Sequence, residues 1–135
     1  MRVNTISLIS AGRLQSVVLG GDNVEIEIRS LGEVTLIKLN GRITLGVAVD
    51  RLRETMDDLI DGGASRFVLD LGEVSMIDSS GIGLLVRYLT TAKQRGGALK
   101  LLNPTKFAVQ TLKMIGLLGL FEVFQDQGQA LASFG

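Results

Sequence analysis

The hexapeptide that runs from Asp78 to Gly83, Asp-Ser-Ser-Gly-Ile-Gly, contains two serine hydroxyls and two glycines. This hexapeptide follows a strand-like run and opens a segment whose apolar residues recur at helical spacing. The first turn of a helix leaves backbone N–H groups without partners, and a side-chain oxygen of Asp78, Ser79 or Ser80 can accept one of them. Three such residues and two glycines exceed what capping requires, because a helical glycine costs about 1 kcal/mol relative to alanine. The residue types allow a serine to accept a phosphoryl group at a surface that another protein approaches closely.

A phosphate at this helix start would act differently on the fold and on an interface. It adds a charge of about −1.5 to −2, which the helix dipole and the free N–H groups tolerate. The carboxylate of Asp78 and any partner surface packed against it would repel that charge. From the residues alone, two interpretations stand equally: a capped helix whose glycines pack against a sheet, and a phosphorylation switch.

The composition indicates one globular domain and removes several classes of chemistry. A chain of 135 residues can bury a core, and its 14 basic residues balance 14 acidic ones, so no net field draws it to nucleic acid. The sequence has no histidine and no cysteine. It therefore lacks the base of serine and cysteine hydrolases and the usual ligands of zinc. We expect no catalytic residue, no metal site and no enzymatic activity.

The sequence also lacks the motifs of nucleotide cofactors and the apolar length of a membrane span. Neither GxxxxGK[ST] nor GxGxxG occurs. A spanning helix needs about 20 consecutive apolar residues, and the longest candidate, 115–124, is interrupted by glycine and glutamate. The carboxylates Glu54, Asp57, Asp58 and Asp61 are predicted to form a solvated helix face rather than a Mg²⁺ site. These features predict a cytoplasmic protein with no cofactor, no membrane insertion and no direct nucleic-acid contact.

The spacing of apolar residues predicts an α/β fold. Val24, Ile26 and Ile28 alternate with charged residues, and a second strand at 34–39 follows after a short turn, which favours an antiparallel hairpin. Helical patterns then alternate with short apolar runs at 67–71, 99–102 and 121–124. The order β, β, α, β, α, β, α, β, α predicts a mixed sheet of about five strands with an antiparallel N-terminal hairpin, parallel right-handed crossovers and about four helices.

The ends of some elements follow from turn and capping residues. Asn103 and Pro104 are predicted to be the N-cap and first residue of a helix, and a short helix is expected over 127–134. Residues 1–23 show no clean period and close with Gly20-Gly21-Asp22-Asn23, so they form either a tail or an extra strand. We therefore divide the chain into an N-terminal extension, 1–23, and one domain, 24–135.

Over about residues 24–134 the sequence resembles a STAS domain of the bacterial anti-sigma-factor antagonist family. The resemblance rests on VLDLGEVSMIDSSGIGLLVRYLTTAKQRGGALKLLN and the later MIGLLGLFEVF, and its most specific part is the hexapeptide from Asp78. It implies a STAS-like fold for the single domain. It also implies that Ser79, the serine directly after the aspartate, accepts the phosphate. Asp78 would then orient Ser79. The partner-binding surface would consist of Asp78, Ser79, Ser80, Gly81 and Gly83.

The resemblance implies a partner-switching protein of transcription regulation. Unphosphorylated, such a protein binds an anti-sigma factor that is also a serine kinase of the GHKL type, and a PP2C-like phosphatase resets it. The alternative is a STAS subunit that regulates a stressosome or a membrane transporter with Ser79 unmodified. A third class, a small nucleotide-binding protein or enzyme with an anion site at the glycine-rich helix start, predicts nucleotide affinity without a partner. An exposed first strand is compatible with a homodimer, because its free edge can pair with a second chain.

Overall fold

A computed structural model describes residues 5–21 and 24–134 of the chain. In this part of the chain a six-stranded sheet lies among five α-helices and a short 3-10 turn at Leu118–Leu120. The strands are β1 (Ser16–Gly21), β2 (Val24–Leu31), β3 (Val34–Ile43), β4 (Arg66–Ile77), β5 (Ala98–Leu102) and β6 (Val123–Phe124). The helices are α1 (Thr5–Ser10), α2 (Val47–Asp61), α3 (Ser79–Gln94), α4 (Lys106–Met114) and α5 (Gln127–Ala132).

The strands lie in the sheet in the order in which they follow along the chain. β1, β2 and β3 pair antiparallel, whereas β3, β4, β5 and β6 pair parallel. The predicted mixed sheet, with its antiparallel hairpin and parallel crossovers, is confirmed. The sixth strand is β1, and α1 is a helix beyond those expected.

Both additional elements come from the predicted N-terminal extension. β1 pairs with β2 from Ser16 opposite Arg29 to Gly21 opposite Val24. Ile6 and Ile9 of α1 are buried in the main core, where α1 contacts α2. The turn predicted at Gly20–Asn23 lies partly outside the described residues. β1 is the edge strand that a homodimer would use, and this dimer stays a prediction.

Strand alternation divides the core between the two faces of the sheet. Ile26, Ile37 and Leu69 belong to the large cluster that α1, α2, α3 and α4 cover. The opposite face carries a smaller cluster in which Ala130 of α5 packs on apolar strand residues: Val34, Leu36, Val68 and Leu102. The three crossover helices α2, α3 and α4 therefore share one face with α1, and α5 covers part of the other face.

Lys100 of β5 fastens α5 to the sheet. Its side chain is 7 % exposed, and Nζ lies 2.8 Å from the Ser133 hydroxyl oxygen and 3.2 Å from the Ser133 carbonyl oxygen. The ammonium group also lies 4.3 Å from the centre of the Phe134 ring. A cation removed from water in this way needs these partners, since an unpaired buried charge is costly.

Two element boundaries differ from the sequence-based expectation. The N-cap of α4 is Thr105, whose hydroxyl accepts from the Ala108 N–H at 3.2 Å, so the prediction of Asn103 as N-cap is wrong. Asn103 instead has a φ of 52°, the left-handed conformation that asparagine tolerates better than most residues. β4 extends to Ile77, well beyond its predicted apolar run. The prediction was too short because exposed polar residues occupy part of the second half of the strand.

The pairing of β3 with β4 brings the hexapeptide next to a second loop. Parallel strands end at the same edge of the sheet, and here Ile43 of β3 pairs with Ile77 of β4. The loop 44–46 follows β3 and leads into α2, while Asp78 follows β4 and leads into α3. Residues more than 30 positions apart in the sequence therefore meet at this edge.

Candidate functional site

Asp78 joins the start of α3 to the loop 44–46. Its Oδ1 accepts from the Gly81 N–H at 3.0 Å, which makes Asp78 the N-cap of α3. Its Oδ2 accepts from the Leu45 N–H at 2.8 Å. The Asp78 N–H donates to the Ile43 carbonyl oxygen at 3.3 Å. One carboxylate thus holds two backbone segments in fixed relation.

These hydrogen bonds favour the ionised form of Asp78. Burial raises the pKa of the Asp78 carboxyl, but backbone N–H groups of Leu45, Gly81 and Ser80 outweigh this effect and hold the pKa below its ordinary value of 3.8. Asp78 is therefore a carboxylate at neutral pH. Any further negative charge at the start of α3 has to lie beside it.

The two serines are not needed to cap the helix, because Asp78 does so. Ser79 is the first residue of α3 and is exposed, and Ser80 after it is half-buried. Of the three capping candidates in the sequence, only the aspartate accepts from the Gly81 N–H. The hydroxyl of Ser79 thus lies at the positive end of a helix dipole, on the surface.

The two glycines of the hexapeptide have different surroundings. Gly81 is buried, and a Cβ added to it would lie 2.6 Å from the Ile43 carbonyl oxygen and 2.8 Å from Cγ1 of Ile77. Packing against the sheet therefore explains Gly81, and its part in partner binding stays a prediction. Gly83 is exposed, and a Cβ there would meet no atom within 4 Å. Internal packing does not explain Gly83.

Apolar side chains that the sequence analysis did not single out surround this edge. Leu45 is 77 % exposed, and Val47 at the start of α2 and Met76 at the end of β4 are also exposed. Leu45 precedes Ala48 by three residues and Val49 by four, which is the spacing of a buried helix face. The sequence pattern therefore does not reveal that Leu45 is exposed. Leu45 is exposed because the helix begins only at Val47, after Gly46 turns the chain with a φ of 117°.

Hydrogen bonds from Tyr88 of α3 to residues of α2 hold α3 in place. The Tyr88 hydroxyl lies 2.7 Å from Oδ1 of Asp57 and 3.2 Å from the Arg53 carbonyl oxygen. Burial raises the pKa of the Tyr88 phenol, and the hydrogen bond to Asp57 raises it further, so the group stays a donor. Asp57 therefore has a structural partner, whereas the sequence had suggested only a solvated face.

Among the described residues no group of acidic side chains is arranged to hold a metal ion.

The helices within the described ranges include none with the length and apolar character needed to cross a membrane.

Comparisons with known proteins identify the domain. The model of the STAS domain family matches residues 25–130, which is most of the chain. The chain is 26 % identical over 110 residues to the anti-sigma F factor antagonist of Paenibacillus polymyxa, covering 81 % of this chain and 93 % of that protein. It is also 26 % identical over 101 residues to the anti-sigma-B factor antagonist of Bacillus subtilis (strain 168), covering 75 % and 91 %.

A solved structure shares the fold. An anti-sigma-factor antagonist (STAS) domain protein from Planctomyces limnophilus superposes with a TM-score of 0.70 at 22 % identity, over 81 % of this chain and 97 % of that one. At this level of identity the likeness concerns the fold alone. It agrees with the mixed sheet and the crossovers described above.

Proposed function

The chain belongs to the STAS domain family, and we propose that it is an anti-sigma-factor antagonist that Ser79 phosphorylation switches off. Unphosphorylated, it binds an anti-sigma factor that is also a serine kinase of the GHKL type. A PP2C-like phosphatase returns it to the binding form. The switch operates in the cytoplasm, and the chain supplies the phosphoacceptor rather than a catalyst. Residues 24–135 form the switching domain, to which the extension 1–23 is added.

One observation carries the proposal: Ser79 is exposed at the start of α3 while Asp78 performs the capping. A kinase can reach the Ser79 hydroxyl without opening the fold, because no burial has to be reversed. The named relatives are antagonists of anti-sigma factors, which supports the class of partner.

The electrostatics of the site support a switch that acts on binding rather than on folding. A phosphate on Ser79 adds about −1.5 to −2 charges beside the ionised Asp78. Solvent and the positive end of the α3 dipole offset this charge in the free protein. A partner packed over Ser79 removes the solvent and meets two adjacent anions. Phosphorylation should thus abolish the complex and leave the fold intact.

The first test is to purify the protein from its own cells and to map phosphorylation by peptide mass spectrometry, with phosphatase treatment as the control. We expect a phosphate on Ser79 that the phosphatase removes. Ser79→Ala should lose the phosphate and keep the kinase bound, whereas the matched variant Ser80→Ala should be phosphorylated and should release the kinase as the wild type does. An unmodified Ser79 across growth and stress conditions would contradict the proposal and favour a constitutive STAS subunit of a stressosome or transporter complex.

A further inference from the structure

Leu45 presents an apolar side chain to solvent beside the phosphoacceptor. It is 77 % exposed, more than Val47 at 49 % or Met76 at 37 %, the other exposed apolar side chains described at this edge. A leucine in this position adds almost nothing to the core. A single exposed leucine is ordinary, but Leu45 shares this edge with the exposed Val47 and Met76, and a group of exposed apolar side chains marks a contact with another protein.

The backbone of Leu45 is held in place although its side chain is free. Its N–H donates to Asp78 Oδ2 at 2.8 Å, and the other oxygen of the same carboxylate binds the start of α3. The loop has only three residues between β3 and α2, and Gly46 adopts a φ of 117° that other residues rarely reach. Leu45 and Ser79 are thus fixed relative to each other through Asp78.

We propose that Leu45 is the apolar anchor that enters an apolar pocket of the partner that contacts Ser79, and that Asp78 is the positioning residue that holds this anchor. The inference rests on the proposed function, because the partner whose pocket receives Leu45 is the GHKL-type anti-sigma factor kinase. A preorganised apolar side chain loses little freedom when it is buried, so it contributes efficiently to affinity. One surface of the kinase would then contact both Ser79 and Leu45, so its affinity would depend on the phosphorylation of Ser79 and on the Leu45 side chain.

The chain contains a matched control for this anchor. Met114 is 86 % exposed and lies at the end of α4. In a parallel crossover the helix runs back from the carboxyl edge of the sheet to its amino edge, so Met114 lies at the opposite edge from Ser79. Truncating Met114 removes a similar amount of exposed apolar surface without touching the proposed anchor.

The test measures binding to the kinase that co-purifies with the wild-type chain and carries a GHKL domain, with each partner purified and titrated by calorimetry. Leu45→Ala should bind roughly 10- to 100-fold more weakly, because most of the apolar side chain that the partner buries is removed. Its melting temperature should stay that of the wild type. Met114→Ala should match the wild type in both measurements.

A double-mutant cycle tests the positioning role of Asp78. Asp78→Asn should speed amide exchange at Leu45 and weaken binding in the wild-type background, but have little further effect once Leu45 is alanine. Additive losses would overturn the positioning role. Equal affinity of Leu45→Ala and wild type would overturn the anchor while the proposed function stands. A wild-type chain that binds no such kinase would overturn both.

Discussion

Replacing Gly83 with alanine should stabilise the protein and weaken its complex with the kinase. Gly83 lies within α3, and an added Cβ would meet no atom within 4 Å. Alanine is favoured over glycine in a helix by about 0.8–1.0 kcal/mol. Nothing in its described surroundings opposes this gain. We expect the free energy of unfolding to rise by about 1 kcal/mol and the melting temperature by roughly 4 °C.

The loss of binding follows from where the new methyl group would point. Gly83 follows Ser79 by four residues, so both lie on the same side of α3, one turn apart. A kinase that packs closely on this turn would meet the methyl group, and we expect its affinity to fall by about 10-fold or more. Urea unfolding and calorimetric titration measure the two opposite effects on the same purified variant.

Gly81→Ala is the matched control, because its Cβ would clash with the Ile43 carbonyl oxygen at 2.6 Å. Overpacking of this kind costs about 1–3 kcal/mol, so Gly81→Ala should be less stable than the wild type. The reasoning on Gly83 fails if Gly83→Ala binds the kinase as tightly as the wild type, or if it is the less stable protein. Either result would mean that the glycine serves a purpose other than close approach.

Two further perturbations follow from the contacts of Asp78 and Lys100. Asp78→Asn should lower stability at pH 7, and the difference in urea midpoint between this variant and the wild type should shrink as the pH falls below about 4. The pKa of Asp78 in the folded protein lies below its ordinary value of 3.8. The stabilising contribution of the carboxylate is therefore complete above pH 3.8 and is lost as acid protonates the group. A difference that does not change between pH 7 and pH 3 would contradict this origin. Lys100→Ala should cost about 2 kcal/mol, because Ser133 and the Phe134 ring lose their buried cation. Hydrogen exchange in α5 should rise at the same time, and unchanged exchange there would refute the fastening role.

The periodicity of the sequence was sufficient for most of the fold. Alternation at Val24, Ile26 and Ile28 and the turn after them correctly predicted the hairpin, because the sheet period depends on neighbouring residues alone. α2 ends at Asp61, directly before the two glycines at 62 and 63. The extra strand β1 stayed one of two alternatives, since its residues carry no clear alternation and only β2 gives them a partner.

The sequence by itself placed a capped, glycine-containing helix start at Asp78–Gly83, because capping preferences act within a few residues. Which residue caps, which glycine packs and which lies open were decided by the tertiary structure. Each answer depends on where the parallel pairing of Ile43 with Ile77 puts the loop 44–46. The sequence analysis did not single out Leu45, whose distance from Ala48 and Val49 is that of a buried helix residue; the turn at Gly46 exposes it. Contacts between residues this far apart in the chain arise from the parallel pairing of β3 with β4, which joins segments that are distant in the sequence.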